Sequence, residues 1–416
     1  MHIIRRAALA ATAATLIGVA VPSQAGPVYI TVGEAAHALL REVAPQAREH
    51  SGADVPVLLP AERGGRALAT GRERVRVVEI DEARLPALSQ AVHERLHRCG
   101  GFVHHDSLAE ALATLHRLQQ PAAAAATPSY AIDDSSTVTP LLAQMQDSQI
   151  LATIERLSQF QNRYYTSSHG QAASDWLAST WRALAGGRAD VQVTQVRHTG
   201  WPQKSVSLLI RGSGKPQERI VLGGHLDSIA SPAGNEVRAP GADDDASGVA
   251  TLTEVIRVLM AANFRPTRSV EFIAYAAEEV GLRGSAQIAA RYARQKQAVL
   301  GVLQLDMTAY QGDATDLWIF TDYTNAGQNQ FIADLAAHYL PELTVGFDRC
   351  GYACSDHATW TQRGYAASFP FKASDAHYNK AIHTAADTTA TFGSHARHAL
   401  KFDKLALSFA VELGSD

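Results

Sequence analysis

The chain has 416 residues, 46% of them hydrophobic and 19% charged, with a formal net charge of -4. That composition is one of a globular protein with room for a large domain and a smaller one, and it excludes a mainly disordered chain. It offers no basic face or long run of like charge for binding nucleic acid.

Arg5 and Arg6 precede an uncharged stretch, Ala7 to Val21, which leads into Ser23-Gln24-Ala25. A charged start, an apolar middle and a small-x-small site read as a signal peptide over residues 1–25. The alternative, a membrane anchor, needs about 20 strongly apolar residues. The expected location is therefore secreted, extracellular or periplasmic in transit, with no membrane attachment after signal removal.

Residues 26–127 follow as a separate unit. Val75 to Ile80 reads as a strand, and Ser107 to Leu118 as an amphipathic helix carrying Leu108, Leu112, Leu115 and Leu118. The adjacent pair His104 and His105 suggests no catalytic role. Gln119-Gln120-Pro121, five alanines and Thr127-Pro128-Ser129 then make a linker. A small α+β unit between a signal peptide and such a linker reads as a removable pro-segment, the alternative being a permanent accessory domain.

From residue 128 to 416 strands and helices alternate. Arg219 to Gly224 reads as a buried strand, Ala246 to Met260 as a helix with Asn263 as its stop, and Ser269 to Ala274 and Val299 to Leu305 as further strands. The expected fold is α/β, with a mixed, mainly parallel central sheet flanked by helices on both faces.

Polar residues gather where those strands end: His225 and Asp227, then Asp243-Asp244-Asp245, Glu278-Glu279 and Asp306, with His383 and Asp387 far downstream. Each alone has an ordinary explanation, such as a helix N-cap for the aspartates. In an open α/β sheet, however, the carboxyl ends of the strands form one crevice. So many carboxylates in one place call for a divalent cation, and two imidazoles favour zinc over calcium. The number of ligands fits two ions sharing a carboxylate, with an adjacent glutamate free to act as base. Cys350 and Cys354 form a candidate disulfide, the alternative being half of a zinc site.

The segments Gly224-His225-Leu226-Asp227-Ser228, Gly241-Ala242-Asp243-Asp244-Asp245, Glu278-Glu279-Val280-Gly281, Leu305-Asp306-Met307 and Ile382-His383-Thr384 resemble those of metallopeptidase family twenty-eight, most of all its secreted bacterial leucyl aminopeptidases. The resemblance spans about residues 130–416. It implies two Zn2+ per chain, one held by His225 and Asp306, the other by Glu279 and His383, with Asp244 bridging. It further implies Glu278 as general base, Tyr352 as a donor to the oxyanion, a Cys350–Cys354 disulfide and a cis peptide bond between Asp244 and Asp245. Asp227 would orient the His225 imidazole; the spacing suggests that Asp387 does the same for His383.

The implied substrates are peptide and protein N-termini, cut one residue at a time with a preference for leucine-like first residues. Met307, Phe369, Phe371, Tyr378 and Ile382 keep the apolar pocket. Asp375 departs from the pattern, an acid where the resemblance implies an aromatic. It either lines the pocket and disfavours leucine or points to solvent from a shifted loop. A processing protease for the pro-segment is the other expected partner, and the mature chain is expected to be a monomer. Two rival functions are a single-zinc glutaminyl cyclase on the same fold and a non-catalytic peptide-binding ectodomain.

Overall fold

The structure is a computed structural model that describes residues 26–60, 68–96, 100–119 and 130–415. The expected signal peptide, the Ala/Pro linker from Gln120 and Cys99 lie outside the described residues. Among those described, no helix is long and apolar enough to cross a membrane.

The first unit comprises β1 (Pro27–Gly33), α1 (Glu34–Val43), β2 (Arg48–Pro60), β3 (Leu68–Asp81), α2 (Leu85–Leu96), β4 (Phe102–His105) and α3 (Leu108–Gln119). Its sheet runs β2-β3-β1-β4, antiparallel throughout. Side chains alternate across a strand, so β3 serves two cores. Val78 and Ile80 pack with Leu40, Leu88 and Val92 of α1 and α2. Val75 and Val77 face the other way, packing with Ala111 and Leu115 of α3 and with Leu282, Tyr352 and Ala358 of the second unit.

The second unit holds α4 (Ser135–Leu142), α5 (Asp147–Ser158), α6 (Ser168–Ala185), β5 (Val191–Val196), β6 (Ser205–Ile210), β7 (Lys215–His225), α7 (Ala246–Ala261), β8 (Arg268–Tyr275), α8 (Arg283–Gln295) and β9 (Ala298–Gln304). It continues through β10 (Leu317–Phe320), α9 (Ala326–Tyr339), β11 (Val345–Asp348), α10 (His357–Thr361), β12 (Ala367–Phe371) and α11 (Ala399–Ser415). The sheet order is β11-β10-β12-β9-β7-β8-β6-β5. Its centre, β12 through β8, is parallel, while β5, β6 and β10 run against their inner neighbours. This is the expected mixed sheet. Helix α7 is buried on nearly all sides, which explains its run of alanines and branched residues, and it ends just before Asn263 in the left-handed region, φ 52°.

The two units meet over the carboxyl ends of the central strands. His104 N–H donates to Gly281 O at 3.0 Å, and Ser89 Oγ–H to Glu279 O at 2.6 Å. Gly281 is required here, because its φ is 101° and a Cβ would stand 2.7 Å from the Phe102 ring. His105 is buried within the first unit itself, its Nε2 2.9 Å from Thr31 Oγ1 of β1.

Candidate metal centre

The ligand loops are set by the strands that precede them. His225 is the last residue of β7, Glu278 and Glu279 follow β8, and Asp306 follows β9. Between β7 and α7 the chain turns through Asp243-Asp244-Asp245, with the Asp244–Asp245 bond cis as expected. Asp245 caps α7 by accepting Gly248 N–H at 2.7 Å. It also accepts His225 N–H at 3.0 Å and Met307 N–H at 3.0 Å, which ties the ends of β7 and β9 to the helix start. Gly248 permits this approach, since a Cβ there would lie 2.2 Å from Leu305 O.

The five expected ligands converge. His225 Nε2 stands 2.9 Å from Asp244 Oδ1 and 3.5 Å from Asp306 Oδ1. His383 Nε2 stands 3.2 Å from Asp244 Oδ2 and 2.7 Å from Glu279 Oε2. The two oxygens of Asp244 thus face two imidazole–carboxylate pairs, His225 with Asp306 and His383 with Glu279. All five residues are at most 5% exposed. Buried carboxylate oxygens of Glu279 and Asp306, and both of Glu278, accept no hydrogen bond. Such oxygens are costly unless a cation faces them. Burial raises the Glu278 carboxyl well above its usual range, Asp356, Glu279 and Asp306 adding to it. Burial opposes charge on His225, yet Asp306, Asp227 and Asp244 lift it well above the imidazole range. Buried imidazoles and carboxylates this close together are a donor set that could hold a metal ion, whose charge would take the place of protons there.

The surrounding residues do what the spacing suggested only in part. His225 Nδ1–H donates to the backbone oxygen of Asp227 at 3.1 Å, leaving Nε2 to face the carboxylates. The Asp227 carboxylate lies 3.6 Å from Nδ1 but accepts the N–H groups of Glu278 at 3.0 Å and Glu279 at 3.1 Å. It therefore aims the glutamate loop as much as the imidazole. Asp387 supports the aspartate turn. Its carboxylate accepts the N–H groups of Asp243 at 3.2 Å and Asp244 at 3.0 Å, because the loop after His383, whose own φ is 56°, folds back under the aspartate turn. Ser355 Oγ–H donates to Asp306 Oδ2 at 2.6 Å.

Tyr352 lies between Cys350 and Cys354, which are joined in a disulfide. Its ring is fully buried in the seam with the first unit, 5.0 Å from the Tyr323 ring and in the Val75–Val77 core. Burial raises its hydroxyl pKa, and the side chains that act on it are Thr31, Tyr323 and Glu73 rather than the metal-centre carboxylates. The resemblance implied a donor to the oxyanion; the Tyr352 ring packs in the seam between the units, and its hydroxyl is buried there. Helix α2 also reaches the centre, the His93 ring lying 4.4 Å from that of His383.

Beside the centre, Met307, Phe369, Phe371 and Tyr378 line an apolar pocket with Phe320, Cys350, Cys354 and Asp375, and Ile382 packs within the same cluster. Asp375 is thus a lining residue.

Two residues of the support were not read from the sequence. Arg163, fully buried, donates to Leu226 O at 2.8 Å, Pro240 O at 2.5 Å and Gly241 O at 2.9 Å. Lys372, also fully buried, pairs with Asp243, which in turn accepts Ala309 N–H at 3.2 Å.

The sequence profile described as peptidase family M28 matches residues 206–408. A protein of Saccharomyces cerevisiae named as a probable aminopeptidase is 34% identical over 295 residues, 68% of this chain and 77% of that protein. Leucine aminopeptidase 1 of Grosmannia clavigera is 33% identical over 300 residues, 69% of this chain and 72% of that protein. Among solved structures, the LapA aminopeptidase of Legionella pneumophila is similar with a TM-score of 0.75 and 28% identity, covering 94% of this chain and 99% of that chain. A Bacteroides thetaiotaomicron glutaminyl cyclase, at 17% identity and a TM-score of 0.51, shares the fold alone. The metal-centre geometry, the profile match and relatives that carry the name aminopeptidase over most of their length lead to one conclusion: this chain belongs to peptidase family M28 and is an aminopeptidase.

Proposed function

We propose that this chain is an exported aminopeptidase that uses two zinc ions to remove single residues from peptide N-termini. The observation that carries the reading is the division of the two Asp244 oxygens between the two imidazole–carboxylate pairs. Zinc ions bound there would lower the pKa of a shared water and polarise the scissile carbonyl. Glu278 takes the proton of the attacking water as its oxygen bonds to the first peptide carbon. When the C–N bond breaks, Glu278 gives that proton to the leaving nitrogen. The apolar pocket takes the first side chain, and the ligand carboxylates face the free amine. Elemental analysis of the purified protein is expected to give about two zincs per chain, with hydrolysis of aminoacyl-anilides lost on chelation and regained with zinc. About one zinc per chain with cyclisation of N-terminal glutamine would establish the cyclase instead. Full zinc without turnover of any peptide would make the chain a binding ectodomain.

Residues 26–127 act in this reading as a pro-segment. Supporting it are the near-complete burial of the metal centre, the contact of His93 with His383, and the hold of the seam on Tyr352. Cleavage in the run from Gln120 to Ser129, an accessible composition for a protease, frees both the centre and the oxyanion donor. Limited proteolysis there is expected to raise activity at least about tenfold. Equal activity before and after cleavage would make the unit a permanent domain.

A further inference from the structure

The pocket beside the metal centre combines two unlike surfaces. Its walls are Met307, Phe320, Phe369, Phe371, Tyr378 and the Cys350–Cys354 sulfurs, all nearly buried. Its one charged lining residue is Asp375, in the short turn Asp375–His377, and this acid is only half-buried. Asp375 is therefore the most exposed residue of an apolar pocket that also includes Met307, next to Asp306.

We infer that Asp375 makes this pocket select lysine and arginine as the first residue, in place of the leucine-like side chain expected from the resemblance; the inference rests on the aminopeptidase reading. A lysine or arginine has an aliphatic stem to lay along the aromatic walls and a cationic head to leave at the rim. There a charge-assisted hydrogen bond to Asp375 replaces the water that both groups lose. A leucine side chain fills the same walls but makes no charge-assisted bond to the carboxylate.

The surroundings of the rim already accommodate a cation. Lys380, on the same loop, holds its ammonium 3.5 Å from the centre of the Tyr378 ring, and its charge and that of Asp375 act on each other. Lys380 is an exposed arm, so a substrate head group can take over its place against the ring face and the acid. The turn is fixed from below, since Asp375 N–H donates to Asp348 Oδ2 at 3.0 Å. That bond fixes the backbone of the turn that carries Asp375.

The test uses the mature, zinc-loaded enzyme with lysyl-, arginyl- and leucyl-anilides, comparing wild type with Asp375→Asn, Asp375→Phe and Asp375→Glu. Wild type is expected to have the higher kcat/KM on the lysyl and arginyl substrates. The lysyl/leucyl ratio should fall by about tenfold or more in Asp375→Asn, the scale of one hydrogen bond to a charged group. It should fall further in Asp375→Phe and recover in Asp375→Glu, with the change carried by KM. A purely structural role would lower all three substrates together and leave the ratio unmoved, which overturns the inference. A wild type inactive on every anilide overturns the aminopeptidase reading itself, a result distinct from an unmoved ratio.

Discussion

Glu278→Gln is expected to reduce kcat at least about a thousandfold while the zinc content stays that of the wild type. The substitution keeps the size of the side chain and removes only the capacity to take a proton. General acid–base groups are worth about 10²–10⁴-fold, with the upper end expected where one group serves both the attack and the departure. Both Glu278 oxygens are buried and accept no hydrogen bond, so the side chain has no evident structural duty to confuse the result. Its backbone is held independently by Asp227 at 3.0 Å. Steady-state kinetics on an aminoacyl-anilide, with metal content measured on the same sample, is the check. A loss of only a few-fold in a variant that keeps its zinc would take the base away from Glu278.

The largest effect on stability is expected at Arg163. Its guanidinium joins the carbonyls of Leu226, beside His225, to those of Pro240 and Gly241, before Asp244. Burial lowers its pKa, while Asp245, Asp387, Asp227 and Asp244 favour its charge. Arg163→Met strands those carbonyls in a dry interior and removes the cation that the acids face, an expected loss of about 3–5 kcal/mol in urea unfolding. Arg163→Lys restores the charge but not the planar fork, and should recover only part of it. Because the fork joins the two loops that bring His225 and Asp244 together, zinc affinity should weaken by about 10–100-fold in a chelator competition. An unfolding change below about 1 kcal/mol in Arg163→Met would show that the loops hold themselves.

The convergence of acids and histidines was legible because they interrupt apolar runs where parallel strands end, and that topology puts such ends in one crevice. The division of Asp244 between two pairs came only from the family resemblance, since spacing cannot say which carboxylate lies between two ions. Arg163 was not legible. Its acceptors are backbone carbonyls, and a lone arginine after α5 has no periodicity that announces burial. Lys372, at the end of an apolar strand, reads like a residue reaching solvent; its partner Asp243 lies on a distant loop. The support that Asp387 gives the aspartate turn was not legible either, because the loop after the left-handed His383 folds back on that turn. The seam was equally hidden, because Val75 and Val77 look like any sheet core until a second unit is placed against them.

The disulfide loop has one more consequence. Its two cysteines wall the specificity pocket, its Tyr352 fills the seam, and the carbonyl of Ala353 receives Gly101 N–H at 3.5 Å. Two properties therefore depend on a single disulfide: the wall of the apolar pocket and the packing of Tyr352 and Ala353 against the first unit. In a thiol-reducing cytosol the five-residue loop is an open chain, free of that constraint. A reduced copy then has neither a fixed pocket wall nor a fixed seat for the first unit.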